Sequence, residues 1–409
     1  MKNFRLLAAL FLFILTACTP QPPAVTPSAP TTTAATPLVA PPTPGATPAA
    51  GLIALTHATL IDGTGRDPIP DAVLLIQDEH ILAAGPRPAV TIPANAQVID
   101  LQGGFILPGF INAHVHNAYN SDRLRAWAQG GVTTVRDEGI LSGRSLEEAL
   151  TWRAGIRHDP QYARLVSAGH MLSVPKGYGS LFVESAADAR QKVFEQLDLG
   201  VDNIKLSMED GYAGQSGLPK LSAGELSAIV SAAHERRVPV SAHITQAAYL
   251  KTVVAAGVDD AAHLAYDPIP AETIQLMVAK DVYLIPTFTV FRNYQAPVET
   301  CVQNLAAFVK AGGKVALGND FNGGPGAFEI GIPMYEIEMM HQAGMSPMQI
   351  LVAATRNAAH VIGLEDELGT LETGKQADVL VISSDPLQEL NALTHIQLVI
   401  HSGRIIFSK

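Results

Sequence analysis

From Phe105 to about His360 the chain alternates, eight times over, between short apolar runs of strand character and longer segments whose apolar residues recur at helical spacing. The runs begin near Phe105, Val132, Ala163, Val201, Val238, Val258, Val282 and Lys314. Several of the helical segments open on a serine with an acidic residue or glutamine three positions later: Ser145/Glu148, Ser185/Asp188, Ser222/Glu225 and Ser346/Gln349, with Pro347 suited to a first helical turn. Eight strand–helix units over residues 105–364 fit the ~250 residues of a (β/α)8 TIM barrel better than a doubly wound open sheet.

On both sides of this region the pattern changes to short strands bounded by turn residues. Leu52–Ile61, Ala72–Ala84 and Ala96–Leu101 precede it, with Asp62, Gly63 and Gly65 as turn residues; Ala377–Ile382 and Ile396–Phe407 follow it, with a turn at Ser402-Gly403. Neither set buries a sheet face alone, so residues 51–104 and 365–409 are expected to form one small composite β-sandwich built from both chain ends. The overall class is α/β.

The 409 residues are 47 % hydrophobic, enough for one large domain and a smaller one, and the net charge of -11 leaves no basic stripe for nucleic acid. At the N-terminus, Lys2 and Arg5 precede an apolar run from Leu6 to Ala17 that is too short to span a bilayer and reads as an export signal over residues 1–18. Leu15-Thr16-Ala17-Cys18 resembles the bacterial lipobox, which implies lipidation of Cys18 and anchoring to a membrane of the cell envelope. Residues 19–50 are then a Pro/Thr/Ala-rich linker with no means of building a core. The only other cysteine, Cys301, lies near the start of a helical pattern that ends at Gly312 and reads as a small helix-face residue. With Cys18 acylated, no intrachain disulfide is available.

Candidate chemistry concentrates at the ends of the barrel runs, where strand side chains of such a fold face the active-site mouth. His114 and His116 share one side of the first strand, about 7 Å apart along it, a spacing that suits a shared cation. Lys205 ends strand 4, His243 strand 5, His263 strand 6 and Asp320 strand 8, so four imidazoles, an amine and a carboxylate are expected at one mouth. Neutral imidazole and carboxylate suit zinc and similar divalent ions. For Lys205, burial disfavours the ammonium, and a free amine can add CO2 to give a carbamate able to bridge two metal ions; the alternative is an ion pair with Glu209 or Asp210 at the rim. His170 ends strand 3 and is a candidate substrate-facing residue, as are Tyr178 and Tyr212, while Phe288 and Phe291 are candidate pocket walls.

Taken together, three segments make the chain resemble the amidohydrolase superfamily, in its imidazolonepropionase-like and prolidase-like branch: Pro108-Gly109-Phe110-Ile111-Asn112-Ala113-His114-Val115-His116, then Gly131-Val132-Thr133-Thr134-Val135-Arg136-Asp137, and the tail from Gly369 to Asp378. The resemblance covers roughly residues 52–409. It implies two divalent metal ions, zinc first among them, with His114, His116 and Asp320 on one, His243 and His263 on the other, and a carbamylated Lys205 between them. It also implies hydrolysis of an amide or cyclic amide C–N bond in a small molecule, with Asp320 as the proton acceptor. Where the branch often carries a Gly-Gly-His-Gly-like segment, this chain has Lys176-Gly177-Tyr178-Gly179, and Asn319 stands where threonine is usual; both put inherited substrate specificity in doubt. The same donor set serves a dipeptidase of Xaa-Pro or Xaa-Arg type, or an esterase, lactonase or phosphotriesterase. A lipid-anchored binding protein with a structural metal is the non-catalytic alternative. A homo-oligomer is compatible with all of these.

Overall fold

The computed structural model describes residues 51–140, 145–211, 216–294, 297–323 and 329–409. The leader with Cys18, the linker and Tyr212 lie outside the described residues. Among the described residues, no helix is long and apolar enough to cross a membrane.

The chain first lays down Leu52–Leu60 (β1), Ile69–Gln77 (β2), His80–Pro86 (β3), Gln97–Asp100 (β4) and Phe105–Pro108 (β5). The barrel strands follow: Phe110–Val115 (β6), Val132–Asp137 (β7), Arg164–Ser167 (β8), Leu172–Ser173 (β9), a short Leu181–Phe182 (β10), Ile204–Ser207 (β11), Val240–His243 (β12), Asp260–Ala262 (β13) and Tyr283–Ile285 (β14). Val379–Ile382 (β15), Ile396–His401 (β16) and Arg404–Ser408 (β17) return to the first group.

The two chain ends share one eight-stranded sheet of order β17-β16-β15-β5-β1-β2-β3, with β4 parallel to the first half of β1. It curls on itself. His80 bridges to Gln376 beside β15, and the β16–β17 turn presses so closely on the β2–β3 turn that a Cβ on Gly403 would overlap the Asp78 carbonyl. Leu55, Leu74 and Ile76 from one end and Val379, Val381 and Leu398 from the other therefore belong to a single apolar core. The Ala72–Ala84 run proves to be a hairpin, broken where Asp78 takes a positive φ of 55°.

The run from Phe105 is also divided. Phe105–Pro108 pairs with β1 and β15 in the curled sheet, and the barrel starts only at Phe110. Gly109 is the joint: its N–H donates to Asp378 O at 2.8 Å, and the Thr133 side chain occupies the space a Cβ would need.

Eight staves then close a ring. β6, β7 and β8 are parallel neighbours, as are β11, β12, β13 and β14. The third stave bends at Gly169, so that β8 meets the fourth through Asp202 N to Ser167 O at 2.9 Å and β9 meets it through Leu172 opposite Leu206. The eighth, predicted as a strand from Lys314, is reduced to single bridges: Val315 with Leu284 and Phe321 with Val115, plus Ala113 N donating to Leu317 O at 2.8 Å. Its ladder is interrupted because Asp320 takes a φ of 53° and Asn319 spends its side chain on Asn112, 2.8 Å away. Reciprocal capping boxes form at Ser145/Glu148, Ser222/Glu225 and Ser346/Gln349, whereas the Asp188 carboxylate passes Ser185 and accepts from Glu184 N.

Candidate metal centre

Strand alternation brings His114 and His116 to the mouth of β6, and the bend at Asp320 turns its carboxylate toward them. Asp320 Oδ1 lies 3.4 Å from His114 Nε2 and 3.3 Å from His116 Nε2, and one ligand atom from each of the three falls within 4.8 Å of the others. His263, at the end of β13, places Nδ1 3.9 Å from Asp320 Oδ2 and Nε2 2.8 Å from His243 Nδ1. Ring centroids run from His116 to His114 to His263 to His243 at 5.4, 4.9 and 4.5 Å. The four histidines and Asp320 predicted from sequence therefore meet.

Three of the four rings have their outer nitrogen engaged. His116 Nδ1 donates to Gly139 O at 3.1 Å, His243 Nε2 donates to Glu209 at 3.2 Å, and His263 Nδ1 lies 2.8 Å from Thr287 Oγ1. The first two bonds fix the proton on the outer nitrogen and aim a lone pair inward, the arrangement found behind metal-bound imidazoles. His114 is fully buried, and neither of its nitrogens has a hydrogen-bond partner. A buried polar group left bare costs about 1–3 kcal/mol, so this ring is explained by a ligand absent from the protein chain itself. Neutral imidazoles around a carboxylate fit a divalent cation.

Electrostatics point the same way. Burial holds all four imidazoles below the usual histidine range, with His116 at about 4 and His114 and His263 well below 6.5, and the Lys205 charge adds to the effect at each. Burial pushes the Asp320 carboxyl up to about 7 against the pull of Lys205. The site is thus a set of uncharged donors around one carboxyl group poised near neutrality.

Lys205 is buried, but its partner is neither Glu209 nor Asp210. It forms a tight ion pair with Glu138, just beyond β7, and also reaches Ser241 Oγ at 3.3 Å. Glu138 also accepts from Asn203 Nδ2 at 3.1 Å and pairs with Arg136, whose Nε lies 2.7 Å away while donating to Ala113 O, and Arg136 pairs with Asp260 at 2.9 Å, all of them buried. Glu209 instead serves His243, Thr245 and Gly211 N, while Asp210 pairs with Lys220.

Of the substrate-facing candidates, the Tyr178 ring lies 4.7 Å from that of His243, and Phe291 6.4 Å from His263 with Phe288 behind it. The backbone N–H and carbonyl of His170 are both taken by the Gln196 side chain, and its half-buried ring has no hydrogen-bond partner at Nδ1 among the described residues. Sequence reasoning passed over Glu138, Thr287 and Glu336. For Glu138 and Thr287 the only sequence signal is a charged or hydroxyl residue one to two positions past an apolar strand, and Glu336, inside the helix Met334–Gln342, carries none.

A (β/α)8 barrel with a His-x-His pair, two further strand-end histidines and an aspartate at its mouth defines a metal-dependent hydrolase. The amidohydrolase family profile matches residues 105–406, and the chain belongs to that family. It is similar to the ochratoxinase of Aspergillus niger, 23 % identical over 87 % of this chain and 86 % of that protein. Imidazolonepropionase from Symbiobacterium thermophilum is 27 % identical over 83 % of this chain and 88 % of its own. The fold matches a crystal structure of a Xaa-Pro dipeptidase with bound methionine at a TM-score of 0.76 and 22 % identity, covering 88 % of this chain and all of that one.

Proposed function

We propose that this enzyme hydrolyses an amide or cyclic amide C–N bond of a small molecule at a two-metal site, zinc being the ion its donors suit best. His114, His116 and Asp320 would hold one ion, His243 and His263 the other, and Lys205, as a carbamate, would join them. The carrying observation is the inward convergence of the ligand atoms of His114, His116 and Asp320 with the outer nitrogen of His116 already spent. Divalent ions bound there supply an activated water and a polarised carbonyl.

The chain's own residues do the rest. Asp320, its carboxylate at the mouth beside His114 and His116, accepts the proton of the attacking water and returns it to the leaving nitrogen. Tyr178 at His243 and the Phe291–Phe288 pair at His263 wall the substrate on the side of the second ion. The likeness in fold to a Xaa-Pro dipeptidase favours one second reading, a dipeptide substrate. The proposal extends to an exported enzyme tethered through a lipid on Cys18, facing small molecules at the cell envelope.

Elemental analysis of the purified protein together with a panel of amides, lactams, Xaa-Pro and Xaa-Arg dipeptides, esters, lactones and phosphotriesters tests this directly. Turnover of the amide group that is lost with a chelator and regained with zinc, manganese or cobalt is expected. Turnover confined to esters or phosphotriesters would overturn the C–N assignment, and 13C-bicarbonate labelling that leaves Lys205 unmarked would overturn the carbamate.

A further inference from the structure

Glu336 is fully buried in the helix Met334–Gln342, and no cation pairs with it among the described residues. All its bonds go to one turn. It accepts from Phe288 N at 2.9 Å, Thr289 N at 2.8 Å and Thr289 Oγ1 at 2.9 Å, with Thr287 N also directed at it. A buried carboxylate without a countercharge is costly, and among the described residues the backbone N–H groups of one turn and the Thr289 hydroxyl compensate it.

The turn it grips is itself strained. Thr287 is β-branched, fully buried, and held at a φ of 56°, a region such residues avoid at a cost of about 1–3 kcal/mol. That backbone setting is what points Thr287 Oγ1 at His263 Nδ1, 2.8 Å away. The opposite ring nitrogen, Nε2, is the one that faces His243 Nδ1. Two costly features, 49 residues apart in the chain, thus converge on the outer nitrogen of a single histidine.

We propose that Glu336 is a positioning residue for the second metal ion: by pinning the Thr287 turn it fixes the ring of His263, with Nε2 turned inward. The inference rests on the two-ion reading above. Thr287 accepts the Nδ1 proton, which leaves the Nε2 lone pair free for the ion. Glu209 does the equivalent for His243 from the other side, so the second ion is held by two histidines each locked from behind.

Purified wild-type protein and the variants Glu336→Gln, Thr287→Val, Thr287→Ser and His263→Ala are titrated with Co2+ after chelator treatment, following ion stoichiometry and affinity, with circular dichroism to check folding. Wild type binds two ions, and His263→Ala identifies which binding event belongs to the second site. Thr287→Val and Glu336→Gln are expected to weaken that event roughly 10–100-fold and leave the first within about twofold, while Thr287→Ser restores it. Folded Thr287→Val and Glu336→Gln proteins whose second ion binds as in wild type, or whose two ions weaken equally, would overturn the positioning role alone. A wild-type protein that takes one ion would overturn the two-ion reading and this inference with it. Should Glu336→Gln fail to fold, the Val and Ser variants at Thr287 decide the matter.

Discussion

Protons and metal compete at the His114–His116–Asp320 cluster in a way the burial of each group makes quantitative. The perturbation is pH, applied to a His243→Ala/His263→Ala variant that keeps only this cluster. Before an ion is added, burial holds the Asp320 carboxyl up near 7, and the charges of Lys205, Glu138 and Glu336 that act on it survive the two substitutions. Burial holds His116 near 4 and His114 well below the usual histidine range, so both imidazoles are neutral at pH 5. Binding therefore displaces close to one proton, from Asp320, between about pH 5 and 6, about half a proton at pH 7 and almost none above about pH 8. The affinity approaches a tenfold fall per pH unit below 7 and is about fiftyfold weaker at pH 5 than at pH 7, or ~2.3 kcal/mol. Were the two histidines to titrate at the ordinary ~6.5, two further protons would be displaced, and the loss by pH 5 would be roughly a thousandfold greater still. Co2+ titration in non-chelating buffers from pH 5 to 8, with the released protons counted by indicator dye, reads both slope and stoichiometry. A slope steeper than one below pH 6.5, or no slope between 5 and 7, refutes the reasoning.

Three other outcomes follow from contacts described above. Asp320→Asn should keep the fold and still take up metal through the histidines, yet lose roughly 10²–10⁴-fold in kcat, and activity within tenfold of wild type would remove Asp320 as the proton acceptor. Arg136→Met strips the countercharge from buried Asp260 and leaves Glu138 with Lys205 alone, and should lower stability by about 3–5 kcal/mol, seen as a shift of the urea midpoint; a shift of less than 1 kcal/mol would contradict it. Gly109→Ala drives a methyl group into Thr133 and should destabilise by about 1–3 kcal/mol, with Thr133→Ala relieving most of the loss in a double-mutant cycle.

The barrel and the cluster of four histidines with Asp320 were legible because each depends on a short local pattern: eight apolar runs, and a histidine or aspartate at the end of a run. What the sequence concealed depends on contacts between distant segments. Nothing local says that Phe105–Pro108 leaves the barrel, since only the side chain of Thr133 against Gly109 divides that run. Nor does it say that Lys205 turns inward to Glu138 rather than outward to Glu209, because the two carboxylates lie one and two residues past a strand and only ring closure decides which is nearer. Thr287 and Glu336 read as ordinary loop and helix residues until the turn between them is seen to bear on His263. The eighth stave hid for the opposite reason: its apolar run from Val315 to Leu317 is real, but Asp320 must leave the ladder to present its carboxylate.

The curled sheet has a consequence for how the polypeptide matures. β15 sits between β5 and β16, so β5 has no neighbour on that side until nearly the whole protein has been synthesised. A nascent chain, or one threaded across a membrane from its N-terminus, carries that bare strand edge in front of a half-built barrel, ready to pair with another molecule. Shielding by a chaperone must last until the final thirty or so residues arrive, and truncations near the C-terminus should yield aggregates rather than a smaller working enzyme.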